Sequence, residues 1–367
     1  MNGCHVRKGV RDYFPLLLLF FFVSSLSLIG CEVKKEETQK QTERRQEKVI
    51  KTQEIVVAKA STAPTLDGKG TDEAWKAAQE YIIAVKGYSG DRIKMKAVYT
   101  DTDIFFLFTW SDYSHSIRQA GSWERVHVGG EFGKAPTEAQ EKWEPFGFED
   151  MLSLVWNIDS PDFEQEDLPQ KVHLKGFKTS QGKMDRWLWA AGTTDPVHKL
   201  LDQYIDTQGV HDDSGKSFLI PNTTDEDNPK TRIDERKYPR FMPRVDLVQQ
   251  KIPKLFIVKG QKPILLYYRS EVEPFDLAFV DREATLPAYI FEENPSGSII
   301  DINVGSTHLE QEETWTVEVQ RKLTTATPEE DIQFDDRSKT FAFTIGVFDN
   351  TDTDGSFSEV QKLTFAQ

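Results

Sequence analysis

KMKAVYTDTDIFFLFTW, Lys94 to Trp110, consists of two β-rich runs broken by Asp101-Thr102-Asp103. Val, Tyr, Ile, Phe and Trp crowd the runs, and the break holds only small polar residues, so the stretch predicts a hairpin with a polar turn. Similar runs recur at Met151–Ile158, Lys254–Ile257, Ile264–Tyr268, Trp315–Gln320 and Phe341–Phe348. The fourth of these, WTVEVQ, alternates apolar and polar residues as a half-buried strand does. Helical periodicity is confined to short stretches. The clearest is TDEAWKAA, Thr71 to Ala78, with Thr71 as its expected N-cap. Many strands at short spacing with loop-rich connections predict a mainly β fold, a β-sandwich of immunoglobulin or jelly-roll kind with few short helices, rather than a βαβ fold.

Outward from these strands, residues 55–367 hold most of the eight Trp and 24 Phe and read as one large domain. Thr207 to Arg240 is dense in Asp, Asn, Gly, Pro and Lys, and is expected to form a long surface insertion. Before Ile55 the composition changes. EVKKEETQKQTERRQEKVIKTQE, Glu32 to Glu54, has almost no apolar residue with which to bury a face and reads as a solvated tether.

At the start of the chain, Arg7, Lys8 and Arg11 precede an apolar run from Phe14 to Val23. That is the charged and apolar order of a signal peptide, too short for an ordinary membrane span. The run leads to Leu28-Ile29-Gly30-Cys31, a lipobox pattern, so residues 1–30 are expected to be cleaved and Cys31 lipidated. The alternative is an uncleaved anchor helix. Either reading places the domain outside the cytoplasm, at the cell envelope and membrane-anchored. Glu32, rather than Asp, follows the cysteine, which favours the outer membrane or outer leaflet over retention at the inner membrane.

Cys4 and Cys31 are the only cysteines. The mature domain would therefore have no thiol for disulfides, iron–sulfur clusters, thiolate catalysis or covalent haem attachment. A net charge of −15 and a pI near 5.1 speak against nucleic acid as a partner, because phosphate binding needs a basic surface. The sequence has no Walker loop, dinucleotide fingerprint, HExxH or GxSxG. It offers no convincing pair of nucleophile and base, so the expectation is a protein that binds rather than one that catalyses.

Three blocks together carry a resemblance. APTLDGKGTDEAWKAA (Ala63 to Ala78) with KAVYTDTDIFFLFTWSD (Lys96 to Asp112) is similar to the opening of sandwich domains related to family 9 carbohydrate-binding modules. FEDMLSLVWNID (Phe148 to Asp159), GKMDRWLWAAGTTDP (Gly182 to Pro196) and Asp202-Gln203-Tyr204 narrow the match. WTVEVQRKLTT (Trp315 to Thr325), DIQF (Asp331 to Phe334) and FTIGVFDN (Phe343 to Asn350) close it. In that order they resemble the haem-binding domain of the ethylbenzene dehydrogenase gamma subunit, which is shared with related subunits of DMSO reductase-type enzymes and some c-type cytochromes. The resemblance covers nearly all of residues 55–367. It implies a β-sandwich enclosing one non-covalent haem b, with methionine and lysine as axial ligands in the best-known member, relaying electrons alone or docked on a molybdenum oxidoreductase.

Carried over residue by residue, the resemblance puts His173 where the family's first axial ligand stands, and a neutral imidazole is a normal haem-iron ligand. Met184, three positions before Trp187, is a rival donor, or a core residue. The family's lysine has no counterpart in IIDINVGSTHLEQEETW, where His308 is the one good donor, so His173 and His308 form a candidate bis-histidine site for the iron. The alternative for each is a solvated loop histidine. Trp187 and Trp189, two apart on a strand, would point the same way and either wall a porphyrin face or pack in the core. Arg321 and Lys322 could meet haem propionates, or be solvated or paired elsewhere. Asn350-Thr351-Asp352-Thr353-Asp354-Gly355 imitates the start of a calcium loop, but its twelfth position would be Gln361, so it reads as an acidic turn between the last two strands. The competing function is a glycan-binding surface lipoprotein without haem, stacking sugars on Trp110, Trp123 or Trp143.

Overall fold

The computed structural model describes residues 52–127, 141–224, 238–245, 267–280 and 284–366. The signal peptide, the lipobox with Cys31, the tether as far as Lys51 and the run at Lys254–Ile257 lie outside these residues. Of the Ile264–Tyr268 run only Tyr267 and Tyr268 are described, and Tyr268 makes an isolated bridge to Phe291.

The fold is a β-sandwich. Its front sheet contains β2 (Tyr81–Gly87), β3 (Arg92–Tyr99), β4 (Asp103–Ser111) and, returning late in the chain, β12 (Thr314–Lys322) and β11 (Asn303–Leu309). The β3–β4 pair is the hairpin expected from Lys94 to Trp110, antiparallel with Tyr99 opposite Ile104. The back sheet runs β10 (Val210–Asp212), β9 (Leu201–Ile205), β8 (Met184–Ala190), β7 (Met151–Asn157) and β13 (Phe341–Phe348). The two short strands β14 (Ser356–Ser358) and β15 (Gln361–Phe365) pair with β13. The sheets are joined at one side, because β1 (Glu54–Lys59) lies parallel to both β15 and β3, and β2 pairs with β3 at one end and β14 at the other. A separate hairpin, β5 (Ser122–His127) with β6 (Glu141–Phe146), leaves the sandwich between β4 and β7.

Between the sheets lies the main core. Phe106, Phe108 and Trp110 of β4, Leu152, Leu154 and Trp156 of β7, Trp187 and Trp189 of β8, and Trp315, Val317 and Val319 of β12 are buried there. These are alternate positions on each strand, the period of two that a pleated sheet imposes. The other faces of β4 and β7 are covered as well, which explains why their sequences are nearly continuous apolar runs.

Two local expectations change. The segment at Thr71 to Ala78 is a single 3-10 turn, Glu73–Ala77, preceded by Asp72, whose carboxylate accepts from Thr65 N rather than capping the turn. One turn suffices, because it needs only to lay Trp75 on Phe105 and Leu107 at the outside of β4. WTVEVQ is buried on both faces rather than half-buried: the Glu318 carboxylate is fully covered and accepts from Trp75 Nε1 at 2.9 Å, Asp67 N at 2.9 Å and Gly68 N at 2.7 Å. The hydrogen bonds satisfy the buried charge, so alternation in sequence does not mean exposure.

The supposed surface insertion also begins as part of the fold. β10 extends the back sheet, Leu219–Pro221 pairs with Tyr289–Phe291, and Phe218 and Asn222 are buried, Asn222 through hydrogen bonds to Phe241 and Pro287. Its residues 225–237 lie outside the described ones.

Candidate functional site

On β8 the two faces are chemically different. Trp187 and Trp189 point the same way, as their spacing requires, but into a sealed core: Trp187 packs 5.2 Å from Trp156 and 5.9 Å from Phe106, and Trp189 4.9 Å from Trp315. Both are wholly buried by these contacts. Met184 has the opposite parity and is wholly buried on the outer face against Val155, Phe163, Leu168, Val172 and Ile205. It is a core residue and shares no face with the Trp pair. Arg321 is fully buried too, paired with Asp331 at 2.7 Å and Asp185 at 3.6 Å, donating to Ile332 O at 2.7 Å, with its guanidinium 5.1 Å from the Trp187 ring centre. Of the readings open from sequence, propionate partner or residue paired elsewhere, Arg321 takes the second. Lys322 is exposed.

The two candidate histidines are not brought together. His308 stands directly across from Trp315 on the β11–β12 ladder and so shares its inward face. There it stacks on His115, ring centres 4.6 Å apart, and contacts Asp112 O through Nε2 at 3.1 Å. His173 lies on the outer face of the back sheet, Nδ1 2.9 Å from Ser153 Oγ and Nε2 3.4 Å from Thr344 Oγ1, parallel to the Phe357 ring. The back sheet stands between them. Nor is His173 a solvated loop residue, for it is only 2 % exposed. Gly346 of β13 makes room for it: a Cβ there would meet His173 Cγ at 2.8 Å. Burial, with the Arg186 charge beside it, pushes the imidazole well below its usual pKa, so it is neutral.

His173 borders a cavity of about 460 Å³ on that outer face, within the range of small-molecule and cofactor pockets. Its floor is Met151, Leu188 and Ala190, Phe348 adds an apolar side, and Phe146 and Phe148 lie over it at the end of β6. His308, Met184, Trp187 and Trp189 do not line it.

Arg186 does, and nothing in the sequence reading had marked it. It alternates with Trp187 and so faces outward with Leu188. It is buried, makes no ion pair among the described residues, and its one hydrogen bond is a 3.5 Å contact from Nη2 to His173 O, leaving Nε without a partner. Burial pulls its pKa down to about 10. Buried guanidinium groups are ordinarily paired, because the desolvation they suffer is costly. The visible signal was a charged pair, Asp185-Arg186, inside an otherwise apolar strand, MDRWLWA. The other cation at the cavity, Lys175, pairs with Asp352, in the Asn350–Gly355 segment that links β13 to β14, so the acidic stretch precedes the last two strands rather than joining them.

Residues 51–359 match the model of the ethylbenzene dehydrogenase family. The chain belongs to that family. None of the curated proteins compared matches it. Among solved structures it is similar to a family 9 carbohydrate-binding module from Caldicellulosiruptor kristjanssonii in complex with glucose, at 8 % identity and a TM-score of 0.31 over 86 % of this chain and 96 % of that one. The same organism's module in complex with cellotriose gives 8 % identity and a TM-score of 0.29 over 86 % and 95 %. At its outer cavity the chain brings together the His173 imidazole, whose ring nitrogens contact Ser153 Oγ and Thr344 Oγ1, the Met151 side chain, apolar walls and a guanidinium with no ion pair among the described residues. The three Trp expected to stack sugars are buried, Trp110, Trp123 and Trp143 being 4 %, 4 % and 5 % exposed, and the exposed aromatic side chains among the described residues are Tyr and Phe, with Tyr88 and Tyr113 the most open.

Proposed function

We propose that this protein binds one non-covalent haem b in the outer cavity of the back sheet and serves as an electron-transfer protein. The observation that carries this is Arg186, a buried cation that borders an apolar cavity and lacks an anion. A haem propionate supplies that charge, and charge-assisted hydrogen bonds are among the stronger polar contacts. His173 is the proposed iron ligand, its Nε2 exchanging the 3.4 Å contact with Thr344 Oγ1 for the iron, and Met151 is the second donor in place of His308, because it shares the cavity. When bound, the haem would supply one-electron redox chemistry; the protein contributes ligands, a dry apolar wall and the charge pairing that sets its orientation. Placement at the cell envelope through a lipidated Cys31, and a redox partner such as a molybdenum oxidoreductase, belong to the same proposal.

Hemin titration tests it. Wild-type protein is expected to shift the Soret band with one haem per chain, and Arg186→Leu to weaken binding. A wild-type protein that leaves the hemin spectrum unchanged while binding oligosaccharides would overturn the haem reading in favour of glycan binding.

A further inference from the structure

At the β8–β9 end of the back sheet, away from the Arg186 cavity, the sandwich buries five carboxylates around one cation. Asp185 of β8, Asp202 of β9, Asp213 just after β10, and Asp331 are each no more than 4 % exposed, and Asp301 is half-buried beside them. Arg321 lies within ion-pair distance of Asp331, Asp185 and Asp301, and among the described residues no ion pair reaches Asp202 or Asp213. Both oxygens of Asp202 and both of Asp213 lack a hydrogen-bond donor, as does Asp185 Oδ1, while Asp331 Oδ1 has only the ion pair with Arg321 Nη2 at 2.7 Å. The other oxygens of the last two are occupied: Asp185 Oδ2 accepts from Ile332 N, and Asp331 Oδ2 from Thr325 and Thr327 Oγ1.

One oxygen from each of Asp185, Asp202 and Asp331 lies within 4.8 Å of the others, the span of oxygens on a shared ion with bonds of about 2.4 Å. One guanidinium cannot neutralise this many buried carboxylates, and burying charge without pairing is costly.

We propose that Asp185, Asp202 and Asp331, with Asp213 adjoining, hold a calcium-like divalent cation that fastens β8, β9 and the Asp331 loop together. The set is all hard oxygen, which excludes soft metals by preference. It is also rich in protein carboxylate, whereas magnesium usually keeps several waters and takes one or two carboxylates. Asp213, itself donorless and buried, is the independent sign that a positive charge belongs there, since it is not one of the three convergent ligands.

The test uses the purified full chain, stripped with EGTA and dialysed. Calcium chloride is expected to raise its thermal midpoint, elemental analysis to recover one calcium per chain after re-addition and dialysis, and terbium to luminesce on Trp excitation, given Trp187 beside Arg321. Asp202→Asn should weaken binding at least about tenfold, the lower range of loss for outer-shell partners of metal sites. Asp112→Asn, in a separate acidic group, should leave binding unchanged. Stripped wild-type protein that takes up no calcium and shows no change in midpoint overturns the proposal, and shows instead that the carboxylates share protons; this outcome is decisive even if Asp202→Asn fails to fold.

Discussion

Arg186 is where the electrostatic cost of the cavity concentrates, so its replacement separates stability from binding. In haem-free protein Arg186→Leu removes a buried charge with no counter-ion and is expected to raise stability by about 1 kcal/mol or more, as hydrophobic replacements of buried charges do. The same change should weaken hemin binding about tenfold or more, the worth of one charge-assisted hydrogen bond. Chemical denaturation and hemin titration of the one variant check both signs. His173→Ala is expected to lose the six-coordinate low-spin spectrum of the reconstituted protein, and Met151→Ala to leave a five-coordinate or weakly ligated iron, whereas His308→Ala and Met184→Ala should change it little. Absorption spectra of the four variants decide between the cavity ligands and the histidine pair. The family pattern singled out His173 as a candidate. That Arg186 and Met151 border the same cavity, and that His308 lies on the other side of the sheet, was not readable, because which face a residue occupies depends on strand register and on what covers the sheet, neither of which a motif records.

At the scale of elements, β13 and the segment carrying His173 fit each other through the absence of one side chain. Gly346→Ala would place a Cβ 2.8 Å from His173 Cγ. It is expected to cost about 1–3 kcal/mol through overpacking and to displace the imidazole. Urea unfolding and the hemin spectrum should therefore respond together. The strand ends make a second, pH-dependent statement. Asp112 after β4, Asp150 before β7 and Asp349 after β13 converge, and burial together with like charge pushes Asp112 up to about 6 and Asp150 up to about 7. Such a carboxyl binds its proton more tightly folded than unfolded, where it titrates near 4. The folded state then holds more protons between pH 4 and 7, and stability falls as pH rises through that window. Thermal midpoints of cation-free protein should decline across it, and Asp112→Asn should flatten the decline. The hairpin at Lys94–Trp110 and the strand at Phe341–Phe348 were legible because both alternation and β-propensity mark them. The covering of WTVEVQ was not, since it depends on Trp75 and the Asp67–Gly68 turn, some 250 positions away.

For the whole molecule, the cysteine inventory joins the envelope reading to the cofactor reading. If Cys31 is acylated, Cys31→Ser should accumulate as an unlipidated precursor, and mass spectrometry of wild-type membranes showing an intact Met1 to Gly30 segment would contradict the lipobox. The described domain contains no cysteine, so any haem it holds cannot be attached through thioethers and must leave with acid–acetone. The outer cavity, its neutral imidazole and its unpaired guanidinium all lie on one face of one sheet, so a single ligand would satisfy them together. The most direct test is a hemin titration of the purified wild-type chain followed by acid–acetone extraction. The expected result is a Soret shift that saturates at one haem per chain, with all haem in the organic phase. No shift at any hemin concentration, or a shift unchanged when Arg186 and His173 are both replaced, would contradict haem binding in this cavity.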